Sequence, residues 1–352
     1  MAHSNWPAPG PGQQTWQGGH QWQPPTVAGG GGWHQQGAWH QQQHQQQPSL
    51  TPGPPAGSPM KKVLGILVAV CVIALGAFVA LLLFADRDPG YDFEDYEAPP
   101  VSDTQPDQLE IPASEEEAWE ILRNNKSYPG TLPERVNCAI TPIDAEGVSP
   151  EDLQVMLNDL TACLMRVWDR PMTEQGVTMF RPKLTVYTGD IETACGVKPG
   201  DEPNAFYCGA DQMLYYNYTL HTHPDTRSVG DTPFGIEAVM AHEFAHFLQG
   251  RTGIMGAYAL LRYPEPESEF AYNLSRRTEL QADCWTGEWV RANQRATGLD
   301  EAAIQAVSGV FSQMGGHTHG KGENRQGWYL RGSESTTIGT CNTWSASDDE
   351  VS

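Results

Sequence analysis

A histidine pair with a glutamate between them, the pentapeptide His242 to His246 (HEFAH), is the part of this sequence best suited to chemistry. The two histidines are four residues apart, so on a helix they lie on one face and can bind one metal ion together. Glu243 projects beside them, where its carboxylate can take a proton from a water on the metal without filling a coordination position. The spacing therefore predicts a hydrolytic zinc site on a helix over residues 234–250.

A catalytic zinc site needs a third protein ligand, and the helix predicted over residues 268–293 offers one. Glu279 and Asp283 are four residues apart on this helix and therefore share a face. The Glu279 carboxylate can complete the metal shell, and Asp283 can hold a ligating histidine through its other ring nitrogen. An ordinary solvated acidic pair is the alternative, and the HEFAH motif upstream favours the metal site.

The spacing of apolar residues predicts the elements that position this site. Helices are predicted over residues 115–124, 149–170, 234–250, 268–293 and 300–314. Ser149 followed by Pro150 is typical of a helix start, because serine caps free N–H groups and proline fits the first turn. Strands are predicted over residues 183–187 and 212–218, paired with each other. Together these elements indicate an α+β fold with a small antiparallel sheet.

The first 112 residues are predicted to precede the folded domain. Residues 1–60 are rich in Gln, Gly, Pro, His and Trp and contain no Asp or Glu, which predicts a disordered tail, either inert or a weak binding segment for a partner. Residues 61–84 include an uncharged apolar run long enough, as a helix, to cross a bilayer. Lysines precede this run and acids follow it, which predicts a single-pass protein of the cell membrane with a cytoplasmic N-terminus and an extracellular domain. Residues 85–112 are acidic and contain proline, which favours a solvated linker.

The remaining stretch, residues 113–346, is long enough to form one domain with its own core. The formal net charge of -22 repels phosphate groups, which argues against nucleic acid as a partner. Six of the seven cysteines lie in this stretch: Cys138, Cys163, Cys195, Cys208, Cys284 and Cys341. An even number predicts three disulfides in an exported domain, and spacing alone leaves their pairing open. No Cys-x-x-Cys motif supports zinc binding by cysteine instead.

Several motifs, taken in order, resemble the neutral zinc metallopeptidases of the YpfJ type, which are zincins with a glutamate as third ligand. The clearest is the run Glu279-Leu-Gln-Ala-Asp-Cys284, which is similar to the third-ligand helix of that family. The others are residues 193–196 and 206–212 (a cysteine-bounded hairpin), 242–249 (the metal helix), and 318–320, 325, 328 and 341–343 (the closing segment). The resemblance covers residues 181–344 and implies a zincin-like domain that acts on peptide or protein substrates.

The resemblance also implies roles for single residues. The implied zinc ligands are His242, His246 and Glu279, the implied general base is Glu243, and the implied orienting carboxylate is Asp283. The implied disulfides are Cys195–Cys208, Cys284–Cys341 and, for the remaining two cysteines, Cys138–Cys163. His319 falls where a zincin can use a donor that stabilises the oxyanion of the tetrahedral intermediate, and a structural histidine is the alternative.

The chain departs from the family pattern at two places. Ala245 and Phe247 stand where relatives often have Gly and His, and neither position binds the metal. The segment between Phe311 and His317 is short and lacks an acidic Gly-Asp-Asp motif. We expect this departure to change the geometry of the loop that carries His319, and with it the choice of substrate more than the chemistry.

From these observations we expect a membrane-anchored zinc metallopeptidase. Glu243 would take a proton from the zinc-activated water and later pass it to the leaving amine. The alternative is a zincin-fold module at the cell surface that binds or scaffolds other molecules without catalysis.

Overall fold

The computed structural model describes residues 59–85, 90–102, 107, 109–138 and 140–352, and within the helix over 59–85 it describes the side chains of residues 63–76. The chain divides into two units, one over Trp6–Pro89 and the other containing Gly90–Ser352. The first unit contributes helix α1 (Pro59–Ala85). The predicted tail lies outside the described residues, except for its last two residues, which begin α1.

The structure contradicts the membrane anchor predicted at residues 61–84, which lie in α1. Among the described residues, the structure contains no helix with both the length and the apolar character needed to cross a membrane. The prediction of a single-pass membrane protein with an extracellular domain is therefore contradicted.

The larger unit has the predicted α+β composition, and its main sheet is small. Its strands are β1 (Leu184–Tyr187), β4 (Ala205–Cys208) and β5 (Met213–Asn217), in the order β1-β5-β4. β5 runs antiparallel to β4 but parallel to β1, so the sheet is mixed, and the prediction of an antiparallel sheet is wrong. The chain can return to a parallel strand because a separate hairpin of β2 (Ile191–Thr193) and β3 (Gly196–Lys198), followed by β4, lies between β1 and β5.

Most of the regular secondary structure of the larger unit is helical. They are α2 (Glu115–Arg123), α3 (Pro150–Glu174), α4 (Ser228–Asp231), α5 (Gly235–Arg251), α6 (Ile254–Arg262), α7 (Glu269–Thr297), α8 (Glu301–Gln313), α9 (Gly322–Ser333) and α10 (Asp348–Val351). The predicted start of α3 is confirmed, since Ser149 Oγ accepts a hydrogen bond from the Asp152 N–H and Pro150 occupies the first helical position.

Helix α5 is buried on every side, from Gly235 to Gly250. It begins after Phe234, whose φ of 65° lies in the left-handed region and turns the chain sharply into the helix. A fully buried helix must find protein partners for its polar side chains, because water cannot reach them. The contacts of the polar residues of α5 therefore indicate which function this part of the core can serve.

Helix α7 is the longest in the larger unit and packs against α5, α6, α3 and α9. Its contact with α9 is close enough that the backbones touch: a Cβ at Gly332 would lie 1.8 Å from the Cys284 carbonyl oxygen, and one at Gly287 would lie 2.1 Å from the Tyr329 carbonyl oxygen. Only glycine at these two positions allows the helices to approach so closely.

Disulfides and the segment before α2 complete the unit. The three cysteine pairs implied by the resemblance are joined as disulfides, namely Cys138–Cys163, Cys195–Cys208 and Cys284–Cys341. Part of the stretch assigned to a linker packs on the domain, since Tyr96 is 7% exposed and its OH donates to Asp169 Oδ2 at 2.7 Å.

Candidate metal centre

Helices α5 and α7 bring together the three side chains predicted to bind zinc. His242 Nε2 lies 3.1 Å from His246 Nε2 and 3.2 Å from Glu279 Oε2, and His246 Nε2 lies 3.5 Å from the same oxygen. Tetrahedral zinc with bonds of about 2.0–2.1 Å holds its ligand atoms about 3.3–3.4 Å apart. The three atoms have the spacing of three corners of such a tetrahedron, so this cluster could hold the metal.

His246 is held by Gln249, a residue that sequence reasoning missed. Gln249 Nε2 donates to the Thr278 carbonyl at 2.8 Å and to Gln281 Oε1 at 3.0 Å, so its Oε1 faces His246 Nδ1, at 2.8 Å. That oxygen can only accept, so Nδ1 carries the proton and Nε2 keeps its lone pair for a metal. Because Gln249 lies three residues after His246, helical spacing alone could have predicted the contact.

The orientation of Gln249 is itself fixed by a second amide. Gln281 Nε2 donates to Tyr128 OH at 3.0 Å and to the Cys341 carbonyl at 3.2 Å, which leaves Gln281 Oε1 as the acceptor for Gln249. Both glutamines are fully buried. A chain of two amides that ends at backbone carbonyls thus sets the proton position on His246.

His242 is held by an acid rather than an amide. Asp283 Oδ1 lies 2.9 Å from His242 Nδ1, and a carboxylate this close favours a proton on Nδ1, which leaves Nε2 for the metal. Asp283 accepts two hydrogen bonds from Arg325, at 2.7 and 2.8 Å, and Arg325 Nη1 also donates to the Met314 carbonyl at 2.9 Å. In the sequence Arg325 stands out only as part of the resemblance to the family, because no local pattern predicts a buried arginine.

The carboxylates of this cluster are charged in spite of their surroundings. Burial raises the pKa of Glu279, but the neighbouring imidazoles outweigh it and hold that pKa well below its usual value. Burial likewise raises the pKa of Asp283, and Arg325 lowers it below its usual value. Burial lowers the pKa of His242, but the hydrogen bonds and charges of Asp283 and Glu279 raise it to about 10. The anionic oxygens around the two imidazoles therefore attract a cation.

Glu243 lies beside the metal cluster and is not one of its three members. Its Oε2 accepts a hydrogen bond from the Tyr207 N–H of β4 at 2.8 Å, and the residue is buried. Burial raises the pKa of Glu243, against the opposing charges of His246 and His242. Strand β4 thus fixes the position of this carboxylate, a contact between distant segments that the sequence could not reveal.

His319 reaches the cluster from a loop. Its Nε2 lies 3.6 Å from Glu279 Oε2, while its side chain is 47% exposed. The turn that carries it is closed by hydrogen bonds between Gly316 and Gly320, and Thr318 Oγ1 lies 3.1 Å from His319 Nδ1. The structure thus brings His319 next to the predicted ligands, with part of the ring facing solvent.

Two relatives match about half of this chain. The Uncharacterized protein YpfJ of Escherichia coli K12 is 31% identical over 195 residues, which cover 51% of this chain and 67% of that protein. The Uncharacterized protein Rv2575 of Mycobacterium tuberculosis is 29% identical over 194 residues, which cover 48% of this chain and 64% of that protein. No solved structure matches the chain. The family model described as "Putative neutral zinc metallopeptidase" matches residues 142–344, more than half of the sequence and the whole of the candidate metal centre, so the protein belongs to that family.

Proposed function

We propose that this protein hydrolyses peptide bonds in peptide or protein substrates, with a zinc ion held by His242, His246 and Glu279. One observation carries the proposal: His242 Nε2, His246 Nε2 and Glu279 Oε2 converge to within 3.1–3.5 Å of one another. Membership of the family supports it.

When bound, zinc polarises a substrate carbonyl and lowers the pKa of a water molecule to about 7. Glu243, held by the Tyr207 N–H next to the histidines, accepts the proton of the attacking water and delivers it to the leaving amine. Asp283 and Gln249 keep the two imidazoles directed at the metal. His319 donates a hydrogen bond to the oxygen on which negative charge develops in the transition state.

The decisive experiment is the substitution Glu243→Gln in the full chain. Glutamine has the same shape and can still accept from the Tyr207 N–H, but it cannot take up the proton. We expect zinc content by elemental analysis to stay at the wild-type level, while turnover of a peptide library falls by about 10²–10⁴-fold.

Glu192→Gln is the matched control, because Glu192 is exposed on β2 and contacts none of the residues of the metal centre. It should retain both zinc and activity. A Glu243→Gln protein that cleaves peptides at the wild-type rate would rule out the assigned role. A zinc-loaded wild-type protein that cleaves no member of the library would favour a non-catalytic binding module.

A further inference from the structure

A pocket of about 520 Å³ is formed by α7, the end of α8, the loop over residues 315–321 and the start of α9. Its lining includes three basic side chains, Arg276, His317 and Lys321, and no Asp or Glu side chain. Ser352 also lines it, and the Ser352 backbone oxygen accepts hydrogen bonds from the Lys321 N–H at 2.9 Å and from Asn324 Nδ2 at 2.8 Å. The chain as a whole carries a formal net charge of -22. A pocket with only basic charged side chains is therefore a local exception in an acidic molecule, and it suits an anionic ligand.

The pocket adjoins the metal centre through two shared elements. Arg276 and Glu279 are three residues apart on α7, so they lie on one face, about 4.5 Å apart along the helix axis. The loop contributes Gly320 to the pocket and the preceding His319 to the metal centre. An extended peptide advances about 3.3 Å per residue, so a group one or two residues from the scissile bond can reach the pocket.

The two strong cations of the pocket differ in how open they are to a ligand. Lys321 is exposed and, within the described part of the chain, forms no ion pair; its Nζ donates to Ser352 Oγ at 3.1 Å. Arg276 is 8% exposed: its Nε is buried without a hydrogen-bond partner among the described residues, and its Nη1 donates to the His317 carbonyl at 3.3 Å. Its Nη2 pairs with Glu269, whose side chain is 72% exposed, so a ligand carboxylate has to share this guanidinium with Glu269 or displace it.

We propose that this pocket binds a carboxylate of the peptide substrate, one or two residues from the scissile bond. The inference rests on the proposed function and adds a substrate class to it, acidic peptides. The carboxylate has two sources, the side chain of Asp or Glu and the C-terminus of the peptide, and both present the same planar anion to Arg276 and Lys321.

Binding to a catalytically silent protein tests the inference apart from turnover. The zinc-loaded full chain with Glu243→Gln is titrated into fluorescently labelled hexapeptides in matched forms, with Glu or Gln scanned along the peptide and with a free or amidated C-terminus. We expect a form whose carboxylate reaches the pocket to bind about tenfold more tightly than the neutral amidated form, measured by fluorescence anisotropy. Preference for Glu identifies a side-chain carboxylate, and preference for the free terminus identifies the chain end.

Lys321→Gln, added to the same protein, should reduce the tenfold ratio to about one. Lys126→Gln is the matched control, since Lys126 is also exposed and its Nζ also makes one hydrogen bond to a neutral acceptor, the Gly176 carbonyl at 3.1 Å. The control should keep the tenfold ratio, and thermal melting should show that both variants are folded.

Equal binding of all peptide forms overturns the inference, and so does a tenfold ratio that survives Lys321→Gln. Cleavage by the wild-type protein is scored separately. A preference for acidic peptides without any cleavage would refute the proposed function and leave the pocket as a carboxylate-binding site. Cleavage without any preference for acidic peptides would support the proposed function and refute the carboxylate-binding pocket.

Discussion

The two histidines of the metal centre have different partners on their outer nitrogens, a carboxylate for His242 and an amide for His246. Asp283 adds negative charge and increases the basicity of its imidazole, whereas Gln249 fixes the ring without adding charge. The amide partner therefore contributes to metal binding through orientation alone, and its effect can be measured by removing it.

Replacing Gln249 with Leu should lower the zinc affinity of the full chain by about 10–100-fold, because His246 Nδ1 loses its acceptor and the ring can turn. Competition with a zinc-binding dye measures this affinity. Gln154→Leu is a suitable control, since the Gln154 side chain also bridges two backbone groups, the Leu184 carbonyl and the Val186 N–H, but outside the metal centre. If Gln249→Leu lowers the melting temperature and leaves the affinity unchanged, the residue has only a structural role.

Residues of the metal centre that are related by helical spacing could be predicted from the sequence. Residues that reach the centre from distant segments of the chain could not. His242 and His246 are four residues apart, as are Glu279 and Asp283, so each pair can be recognised from its spacing on one helix. Arg325 and Tyr207 reach the site from α9 and β4, and nothing in their neighbourhoods in the sequence indicates that they meet Asp283 and Glu243.

At the scale of elements, the contact between α7 and α9 depends on the absence of side chains at two glycines. Gly332→Ala would place a Cβ against the Cys284 carbonyl and force the helices apart, so we expect the free energy of unfolding to fall by about 1–3 kcal/mol or more. Gly327→Ala in the same helix has no atom within 4 Å of the new Cβ and should raise the free energy of unfolding by about 0.5–1 kcal/mol. Urea unfolding of both proteins measures the difference, and a change of the same sign in both would contradict the close approach.

Glu237, in the first turn of α5, should make the stability of the fold depend on pH. Burial raises the pKa of Glu237 to about 7, although hydrogen bonds from its own N–H and from the Ile143 N–H oppose this. Between its ordinary value of 4.5 and about 7, the unfolded chain releases this proton and the folded chain keeps it. The free energy of unfolding therefore falls as pH rises through this window, by about 3 kcal/mol, and is constant above it as far as this group is concerned.

The variant Glu237→Gln should lose this part of the pH dependence, because its amide does not ionise. Urea unfolding at pH 4.5 and pH 8, in the presence of a chelator, gives the drop for wild type and variant, and all other titrating groups cancel in the comparison. Glu192→Gln, on an exposed strand, should show the wild-type drop. Equal drops in wild type and Glu237→Gln would show that Glu237 ionises normally in the fold.

The elements themselves were predictable where a stripe of apolar residues marked them. Helices α3, α7 and α8 follow such patterns, whereas α5 is buried on every side and has no such stripe; the predicted positions of all four agree with the structure to within a few residues. Helix α9 has a sequence without a clear apolar stripe, and its packing against α7 is made possible by glycines rather than by large side chains. The direction of β1 relative to β5 depends on the path of the chain between them, which no local pattern encodes.

At the scale of the whole molecule, the disulfide Cys284–Cys341 links the helix of the third ligand to a segment 57 residues later, whereas Cys195–Cys208 closes a span of only 13. Chain-entropy arguments predict that replacing the first pair with alanine lowers the free energy of unfolding by about 4 kcal/mol and replacing the second by about 3 kcal/mol. Zinc affinity should fall only when Cys284 and Cys341 are replaced, because the Cys341 carbonyl also accepts a hydrogen bond from Gln281. Urea unfolding and dye competition on the two double variants test this, and equal zinc affinities would show that the Cys341 backbone keeps its place without the bond.

The hydrogen bond from Gln281 to the Cys341 carbonyl also has a consequence for biosynthesis. A ribosome makes α5 and α7 well before it adds residue 341, so a growing chain carries all three prospective zinc ligands while the Cys341 carbonyl that helps to orient Gln281 is still missing. We expect such a nascent chain to hold metal loosely and to exchange it readily. Tight loading would begin only when translation has passed Cys341, so the order of synthesis delays the appearance of a working centre until the fold around it can form.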